Sequence, residues 1–276
     1  KDGKVLISMP GVPYEMKHIM EVQALPLLVE KYKPAPILHR TLLTAGYGET
    51  NLASEIEDIE SNLPEQLKIA YLPNLGQVRL RLSYYGKQGD SLELMQKTID
   101  KYAAAIQEKL GNKIFGTGTE SLEEVLGKRL MEKGMTLATA ESCTGGSIAA
   151  RIVGFPGSSR YFQGGIVAYS NEIKMKQLNV KSDTLENHGA VSEETVKEMV
   201  QGAIDSLGVD VAVSVSGIAG PDGGTEEKPV GTIWMAVGNK DKIITEKLSL
   251  GKYRLKNIEY TTKRALNLVR LFLADL

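Results

Sequence analysis

The stretch LATAESCTGG, residues 137–146, decides the fold of the second half of this 276-residue chain. A run of strand length gives way to four polar residues and two glycines, and a helical pattern follows at 147–153. The glycines allow a sharp turn and close approach of the backbone to a ligand. The first free N–H groups of a helix favour an anion or a developing oxyanion. The stretch therefore predicts a strand-to-helix turn that presents Ser142 as a nucleophile, although a Ser/Thr helix cap in a tight turn fits equally well.

Helix and strand patterns alternate around that turn over residues 120–276. Strands are predicted at 136–140, 165–169, 211–215, 232–237 and 243–248, and helices at 122–133, 147–153, 173–178, 193–207 and 255–273. Such alternation predicts an α/β fold, with a sheet covered by helices. Ligands of such sheets bind beyond the carboxyl ends of the strands, which is where Ser142 would lie.

The first half of the chain is built differently, since 20 of the 28 glycines lie in residues 116–276. A linker is predicted at 116–119. Residues 34–113 predict a small α+β module with strands at 37–44 and around 78–82, a helix capped by Asn51, and a long helix over 92–110. Residues 1–33 predict a strand at 5–8 and a helix, too little to bury a core, and therefore a fragment of a further α/β domain. We expect the chain to be the remainder of a longer protein, with a tag scar or a processed start as the alternative.

Composition narrows the function. The formal net charge is −1, so the sequence shows no electrostatic footprint for nucleic acid or an anionic membrane. Apolar runs fall short of the roughly 20 residues that span a bilayer. The single cysteine, Cys143, excludes an intrachain disulfide and fits a reducing cytoplasm.

A serine nucleophile needs a base, and the chain offers few. Of the three histidines, His18 and His39 fall in the first half, and His188 lies in an Asn-His-Gly turn. Lys174 is the attractive candidate, because it follows a second strand-to-helix transition and burial can depress the pKa of a lysine. A solvated helix lysine is the plainer alternative. Cys143 competes with Ser142 as nucleophile, because a helix N-terminus lowers the pKa of a thiol.

A third segment, SVSGIAGPDGG at 214–224, joins the same predicted rim. A buried strand that breaks into a glycine-rich loop can cradle a phosphate or ribose. It is not a P-loop, since no Gly-Lys-Ser/Thr follows, and a flexible connection is the alternative. Arg254, just before the last helix, is placed to clamp a phosphate unless it is an ordinary surface charge.

Taken together, four ordered motifs resemble the CinA (competence/damage-inducible protein A) family: 140–146, 164–174 with its Tyr-Ser-Asn core, 189–192, and 216–221 with 228–232. The resemblance implies that residues 116–276 form a nicotinamide mononucleotide deamidase domain. Residues 34–115 resemble the family's KH-like module, and 1–33 the tail of its molybdopterin-binding-like domain. Most of that first domain is absent, so we expect no hydrolysis of ADP-ribose. Residues 46–49 do not form a Gly-x-x-Gly clamp, so the KH-like label does not imply RNA binding.

For such an activity we expect a mechanism that requires no metal or cofactor, in which Ser142 attacks the carboxamide, Lys174 takes its proton, and Tyr169 relays that proton or stacks on the substrate. Amides near 144–146 would hold the oxyanion, and Glu141 would favour the cationic pyridinium. The expected substrate-binding residues are Glu141, Thr144, Gly145, Gly146, Ser170, Asn171, Gly217, Gly220 and Arg254. The expected partners are nicotinamide mononucleotide and a second copy of the chain in a homodimer, with neither membrane nor nucleic acid.

Two other functions are also compatible with the sequence. A nucleotide pyrophosphatase or phosphohydrolase would need paired carboxylates around a metal, for which Asp210 and Asp222 are available. A non-catalytic nucleotide-binding protein associated with competence would bind a mononucleotide without turnover.

Overall fold

The computed structural model of the chain describes residues 4–276 and contains two sheets, each with helices packed against it. The first region contains α1 (Pro13–Ile19), a π-helical turn (Met20–Ala24), α2 (Leu25–Tyr32), β1 (Ile37–Ala45), α3 (Glu49–Glu60), β2 (Leu67–Asn74), β3 (Gln77–Tyr85), α4 (Leu92–Leu110) and β4 (Ile114–Thr117). The second contains α5 (Leu122–Lys133), β5 (Leu137–Glu141), α6 (Ser147–Val153), β6 (Phe162–Val167), α7 (Asn171–Leu178), α8 (Ser182–His188), α9 (Glu193–Leu207), β7 (Val211–Gly217), β8 (Thr232–Gly238), β9 (Ile243–Ser249) and α10 (Arg254–Ala274). The predicted α/β class is confirmed.

The first sheet is antiparallel, in the order β2-β3-β1-β4. Alternate residues of its strands turn to one face and form an apolar core with α3 and α4, which includes Leu42, Leu80 and Ile99. Period-two burial of this kind is what the alternating sequence of β3 predicts. The result is the small α+β module expected for this part of the chain.

The second sheet has the order β6-β5-β7-β8-β9, with β5, β6 and β7 parallel and the last two strands antiparallel. Small residues of β5 and β7, among them Ala138 and Ala212, pack against α9 on one face. Larger residues, among them Leu137 and Val213, pack against α5 and α10 on the other. Because helices cover both faces of the sheet, polar functional side chains can reach a ligand only at the ends of the strands.

Three expectations for the first region were wrong. Residues 5–8 form no strand, and Leu6 is 95% exposed, because no neighbouring strand within residues 4–276 pairs with this segment. The helix expected to be capped by Asn51 begins three residues earlier, because its N-cap is Gly48. The expected linker at 116–119 overlaps β4, which pairs with β1, so the first sheet extends to Thr117.

Residues 1–3 of the expected N-terminal fragment lie outside the described part of the chain. Within residues 4–276, no helix has both the length and the apolar character needed to cross a membrane.

Candidate active site

Three strand ends meet on one edge of the second sheet. Ser142 follows β5, Ala168 and Tyr169 follow β6, and the glycine-rich loop follows β7. The chain runs from β5 to β6 on one side and later to β7 on the other, so β5 lies at the point where the strand order reverses. A crevice at such a point is where open α/β sheets bind ligands. The three segments predicted to share a rim are therefore brought to the same edge.

Ser142 and Lys174 form a buried pair at this edge. Lys174 Nζ lies 3.0 Å from Ser142 Oγ, and it also donates to the backbone oxygens of Ala168 at 2.9 Å and Tyr169 at 3.2 Å. Only 1% of Lys174 and 7% of Ser142 is exposed. The solvated helix lysine considered as an alternative is therefore not what the fold contains. Ser170 caps α7 by accepting the N–H of Ile173, which fixes the helix that carries Lys174.

Burial shifts the pKa of two groups at this site, Lys174 and Cys143. It lowers the pKa of Lys174 below its ordinary value, because the charged amine loses its hydration. It also raises the pKa of the Cys143 thiol to about 12, and the nearby charges of Lys174 and Arg254 offset only part of this rise. A buried, protonated thiol is a poor nucleophile, and the amine of Lys174 bonds to Ser142 Oγ, so the environment favours Ser142 over Cys143.

The carboxylate of Glu141 is fully buried and bound by backbone N–H groups. It accepts from Gly146 at 3.0 Å, Ile148 at 3.0 Å and Ala149 at 2.9 Å. Two expectations must be corrected here. The carboxylate of Glu141 is not open to a pyridinium ring, because it is buried and accepts these N–H groups. The Gly146 amide is not free to hold an oxyanion, because it donates to Glu141.

Two other amides are free for that task. Gly145 donates to the backbone oxygen of Ser142 at 3.1 Å, so it too is engaged. The N–H groups of Cys143 and Thr144 donate to no other residue in the described part of the chain. The Thr144 hydroxyl is buried and likewise has no partner. Free donors next to a nucleophile are the elements of an oxyanion hole.

Arg254 joins the rim from the first position of α10. Its guanidinium donates to the Gly220 backbone oxygen at 2.8 Å and to the Tyr169 hydroxyl at 3.3 Å. Tyr169 is 64% exposed, and the hydrogen bond that it accepts from Lys174 is made by its backbone carbonyl. The side chain of Tyr169 therefore belongs to the rim with Arg254, and the proton relay has no hydrogen bond to support it.

Asn257 is a site residue that the sequence reasoning missed. It is buried, and its amide donates to the backbone oxygens of Ala219 at 2.9 Å and Gly251 at 2.7 Å. These bonds tie the glycine-rich loop to the start of α10 and so position Arg254. The sequence offered only an asparagine three residues after Arg254, and its contact with the glycine-rich loop is visible only in the fold.

The remaining expected binding residues are less central. Gly217 and Gly220 have packing reasons to be glycine, since an added Cβ would lie 2.9 Å from Ile233 Cα or 2.6 Å from Val230 Cγ1 respectively. Gly145, with a φ of 61°, shapes the turn. Asn171 is exposed at the start of α7.

The groups required by the rival chemistries lie elsewhere. His188 contacts Glu194 at 3.6 Å and has no bond to Ser142. Asp210 binds Thr136 at the opposite edge of the sheet, away from the loop that holds Asp222. Residues 4–276 contain no group of three His, Cys, Asp or Glu side chains arranged to hold a metal ion.

Fold and site together define an α/β domain with a serine–lysine pair at its central strand end, joined to a KH-like module. Residues 119–273 match the CinA C-terminal domain, and residues 39–116 match the damage-inducible protein CinA KH domain. The chain therefore belongs to the CinA family, and the resemblance found in its motifs is confirmed.

Relatives support this membership along nearly the whole chain. A CinA-like protein of Cytophaga hutchinsonii is 44% identical over 98% of this chain and 64% of its own length. A putative competence-damage inducible protein of Halothermothrix orenii is 41% identical over 96% of this chain and 63% of its own length. The chain thus spans just under two thirds of the length of these relatives.

Solved structures match over somewhat more than half of the chain. The CinA superfamily protein of Klebsiella pneumoniae has a TM-score of 0.54 and 32% identity, and the match covers 57% of this chain and 100% of that one. A competence/damage inducible protein from Agrobacterium tumefaciens has a TM-score of 0.52 and 35% identity, covering 56% of this chain and 97% of its own.

Proposed function

We propose that this chain hydrolyses the carboxamide of nicotinamide mononucleotide to nicotinate mononucleotide and ammonia. The observation that carries the proposal is the buried Lys174 amine 3.0 Å from Ser142 Oγ, with a pKa lowered by desolvation. A serine activated by a lysine is an established variant of the nucleophile–base pair in acyl transfer. The pyridine nucleotide as substrate comes from the family resemblance.

The neutral form of Lys174 fits its surroundings. A neutral amine has two N–H bonds and one lone pair. Two backbone oxygens, those of Ala168 and Tyr169, take the two N–H bonds, and the third neighbour is Ser142 Oγ. The lone pair then faces the serine hydroxyl and can accept its proton, which is the task of a general base.

The chemistry proceeds in two halves. Ser142 Oγ attacks the carboxamide carbon while Lys174 takes its proton, and the N–H groups of Cys143 and Thr144 bind the oxyanion. The C–N bond then breaks, the Lys174 ammonium protonates the leaving nitrogen, and ammonia departs from an acyl-serine ester. Water, deprotonated by Lys174, adds to the ester carbon, and Ser142 leaves with the returned proton. Atoms and protons balance without a further reactant.

The rim supplies substrate binding. Arg254 provides a cation for the ribose phosphate, and the exposed Tyr169 ring beside it offers a face for the pyridinium. The hydrogen bond between them, at 3.3 Å, places both groups on the same side of the crevice.

The test is ammonia release from nicotinamide mononucleotide, with EDTA present. Ser142→Ala should lose turnover, and Lys174→Ala should fall about 10²–10⁴-fold. Lys176→Ala is the matched control, because this lysine is exposed on the same helix. Turnover that survives Ser142→Ala would refute the nucleophile, and a folded wild-type protein that binds the nucleotide without turnover would favour the non-catalytic alternative.

A further inference from the structure

The nucleophile turn needs an external constraint to hold its shape. Gly145 and Gly146 both have positive φ, 61° and 94°, and an added Cβ at Gly145 would meet no atom within 4 Å. Glycines in open space give a turn many alternative conformations. Catalysis by Ser142 instead requires its Oγ to stay near Lys174, so something outside the glycines must fix the turn.

Glu141 spans the turn from one end to the other. It is the last residue of β5, where its backbone lies between β6 and β7. Its side chain reaches forward to the start of α6. One carboxylate oxygen accepts from Gly146 and Ile148, each at 3.0 Å, and the other accepts from Ala149 at 2.9 Å. The carboxylate thus fastens the helix start to the strand end, and the residues between, including Ser142, are enclosed by that bridge.

We infer that Glu141 is a positioning residue for the Ser142–Lys174 pair and does not bind substrate. The inference rests on the proposed function for its catalytic readout. It also fixes where the substrate's charges go. The positive end of α6 is neutralised by the protein's own carboxylate, so neither the ribose phosphate nor the oxyanion binds there. The oxyanion is left with the amides of Cys143 and Thr144.

The geometry distinguishes a carboxylate from its nearest substitutes. A glutamine offers one oxygen, and its NH2 group would face N–H donors, so Glu141→Gln must lose at least one of the three bonds. An aspartate is one methylene shorter and cannot reach all three amides. Both variants loosen the turn while leaving Lys174 and Arg254 in place.

Asp210 provides the matched control. Its carboxylate accepts from the Thr136 amide at 2.8 Å and the Thr136 hydroxyl at 2.6 Å, and so joins β5 and β7 at the opposite edge of the same sheet. Asp210→Asn removes a comparable carboxylate from the same domain without touching the turn. A loss common to both variants reports stability alone.

The experiment compares wild type, Glu141→Gln, Glu141→Asp and Asp210→Asn, well below the melting temperature of each. For ammonia release from nicotinamide mononucleotide, kcat should fall about 10- to 100-fold in both Glu141 variants, because misplacing a reacting group by about 1 Å has that effect. KM should change less than threefold, and Asp210→Asn should match wild type. A rise in KM with kcat unchanged would overturn the inference and return Glu141 to substrate binding.

A second readout does not depend on the substrate. Amide hydrogen exchange at Gly146, Ile148 and Ala149 should quicken about tenfold or more in Glu141→Gln and stay at the wild-type rate in Asp210→Asn. Unchanged exchange in Glu141→Gln would overturn the inference even if the protein proves not to be an amidase. Quickened exchange in a protein without amidase activity would refute the proposed function alone.

Discussion

Lys174 has three polar neighbours within 3.2 Å of its amine, and none of them is a carboxylate. Burial therefore lowers its pKa, and the opposing electrostatic effect of Cys143 is the smaller of the two. We expect kcat/KM to rise with pH and level off once Lys174 is neutral. The midpoint of that rise should lie below 10.5, the ordinary lysine value, because the folded state disfavours the charged amine. A pH–rate profile of ammonia release measures it.

Lys174→Arg tests whether residue 174 acts by losing a proton or merely by carrying a positive charge. A guanidinium cannot be deprotonated in this range, so the variant should be inactive at every pH while the domain keeps a cation of similar length. The lowered pKa of Lys174 also makes the stability of the fold depend on pH. Unfolded Lys174 keeps its proton to higher pH than folded Lys174, so this residue makes the fold more stable as pH rises between the two pKa values. A flat pH–rate profile in the wild type would contradict the role of Lys174 as base.

Cys143 should be dispensable for turnover. With a thiol pKa raised to about 12 by burial, it is neither a thiolate at neutral pH nor open to reagents. Cys143→Ala should retain activity within about threefold, since its backbone N–H remains, and should unfold at slightly lower denaturant because a small buried side chain is lost. A loss as complete as that of Ser142→Ala would instead make Cys143 the nucleophile.

At the scale of elements, the sequence predicted best where local chemistry sets the boundaries. α5 was predicted at 122–133, and it begins at a capping box between Ser121 and Glu124 and ends at Gly134 in a left-handed conformation. The long helix at 92–110 was likewise predicted with its observed bounds. Caps and glycine stops depend on a few adjacent residues, so they can be recognised without the fold.

The errors fell where a distant partner decides the structure. Residues 116–119 have the composition of a linker, yet Gly116 and Thr117 belong to β4 because β1 offers them an edge. Residues 5–8 have strand composition but lack such an edge among the described residues. The contacts of the Glu141 carboxylate were missed for a similar reason. The stretch 137–146 shows a carboxylate beside a serine, but only the observed path of the turn brings it to the amides of α6.

The packing of α9 against α7 offers an element-scale test. A Cβ added to Gly202 in α9 would lie 1.9 Å from the backbone oxygen of Leu178, the last residue of α7. Gly202→Ala gains up to about 1 kcal/mol of helix propensity, but the clash with backbone outweighs it, and we expect a net loss of about 1–3 kcal/mol. Because α7 carries Lys174, kcat should fall as well.

The control lies one position earlier in α9. Gln201 is exposed, so Gln201→Ala should change stability by less than about 0.5 kcal/mol and leave kcat unchanged. Urea unfolding and ammonia release on both variants decide the matter. Gly202→Ala with wild-type stability would show that the two helices are not held at the observed distance.

At the scale of the whole molecule, the two regions share a core. Leu43 and Phe115 of the first sheet pack in the same apolar cluster as Val269 of α10. Asn267 of α10 also donates to the backbone oxygen of Ala45 at 3.4 Å. One helix therefore reaches from the rim of the candidate site, at Arg254, to the KH module. A single cooperative unfolding transition is the expected behaviour of such a joined pair.

Arg270 of α10 is the buried charged residue at the joint between the two regions, where α10 meets the KH module. It is fully buried, donates to Asn267 Oδ1 at 2.9 Å and to the Asn112 backbone oxygen at 2.7 Å, and leaves Nη1 without a partner. Burial lowers its pKa to about 10, and the neighbouring charge of Arg129 adds to the effect. A buried cation without a carboxylate partner contributes little net charge stabilisation, so its volume and its bond to the KH module are what the joint depends on.

Arg270→Ala should therefore cost more than Arg270→Met. Both variants remove the buried charge and leave the Asn112 oxygen without its donor, but alanine also leaves a cavity, a loss of about 2–5 kcal/mol, whereas methionine fills much of the volume. In urea, the fluorescence of Trp234 reports the second sheet and far-ultraviolet circular dichroism reports both regions. The two curves should coincide in the wild type and in Arg40→Ala, which removes a half-exposed ion pair with Asp100 inside the first region. They should separate in Arg270→Ala, because the KH module then melts without the domain that carries Ser142.

Coincident curves in Arg270→Ala, or a methionine variant less stable than the alanine variant, would show that the joint between the two regions does not depend on this residue.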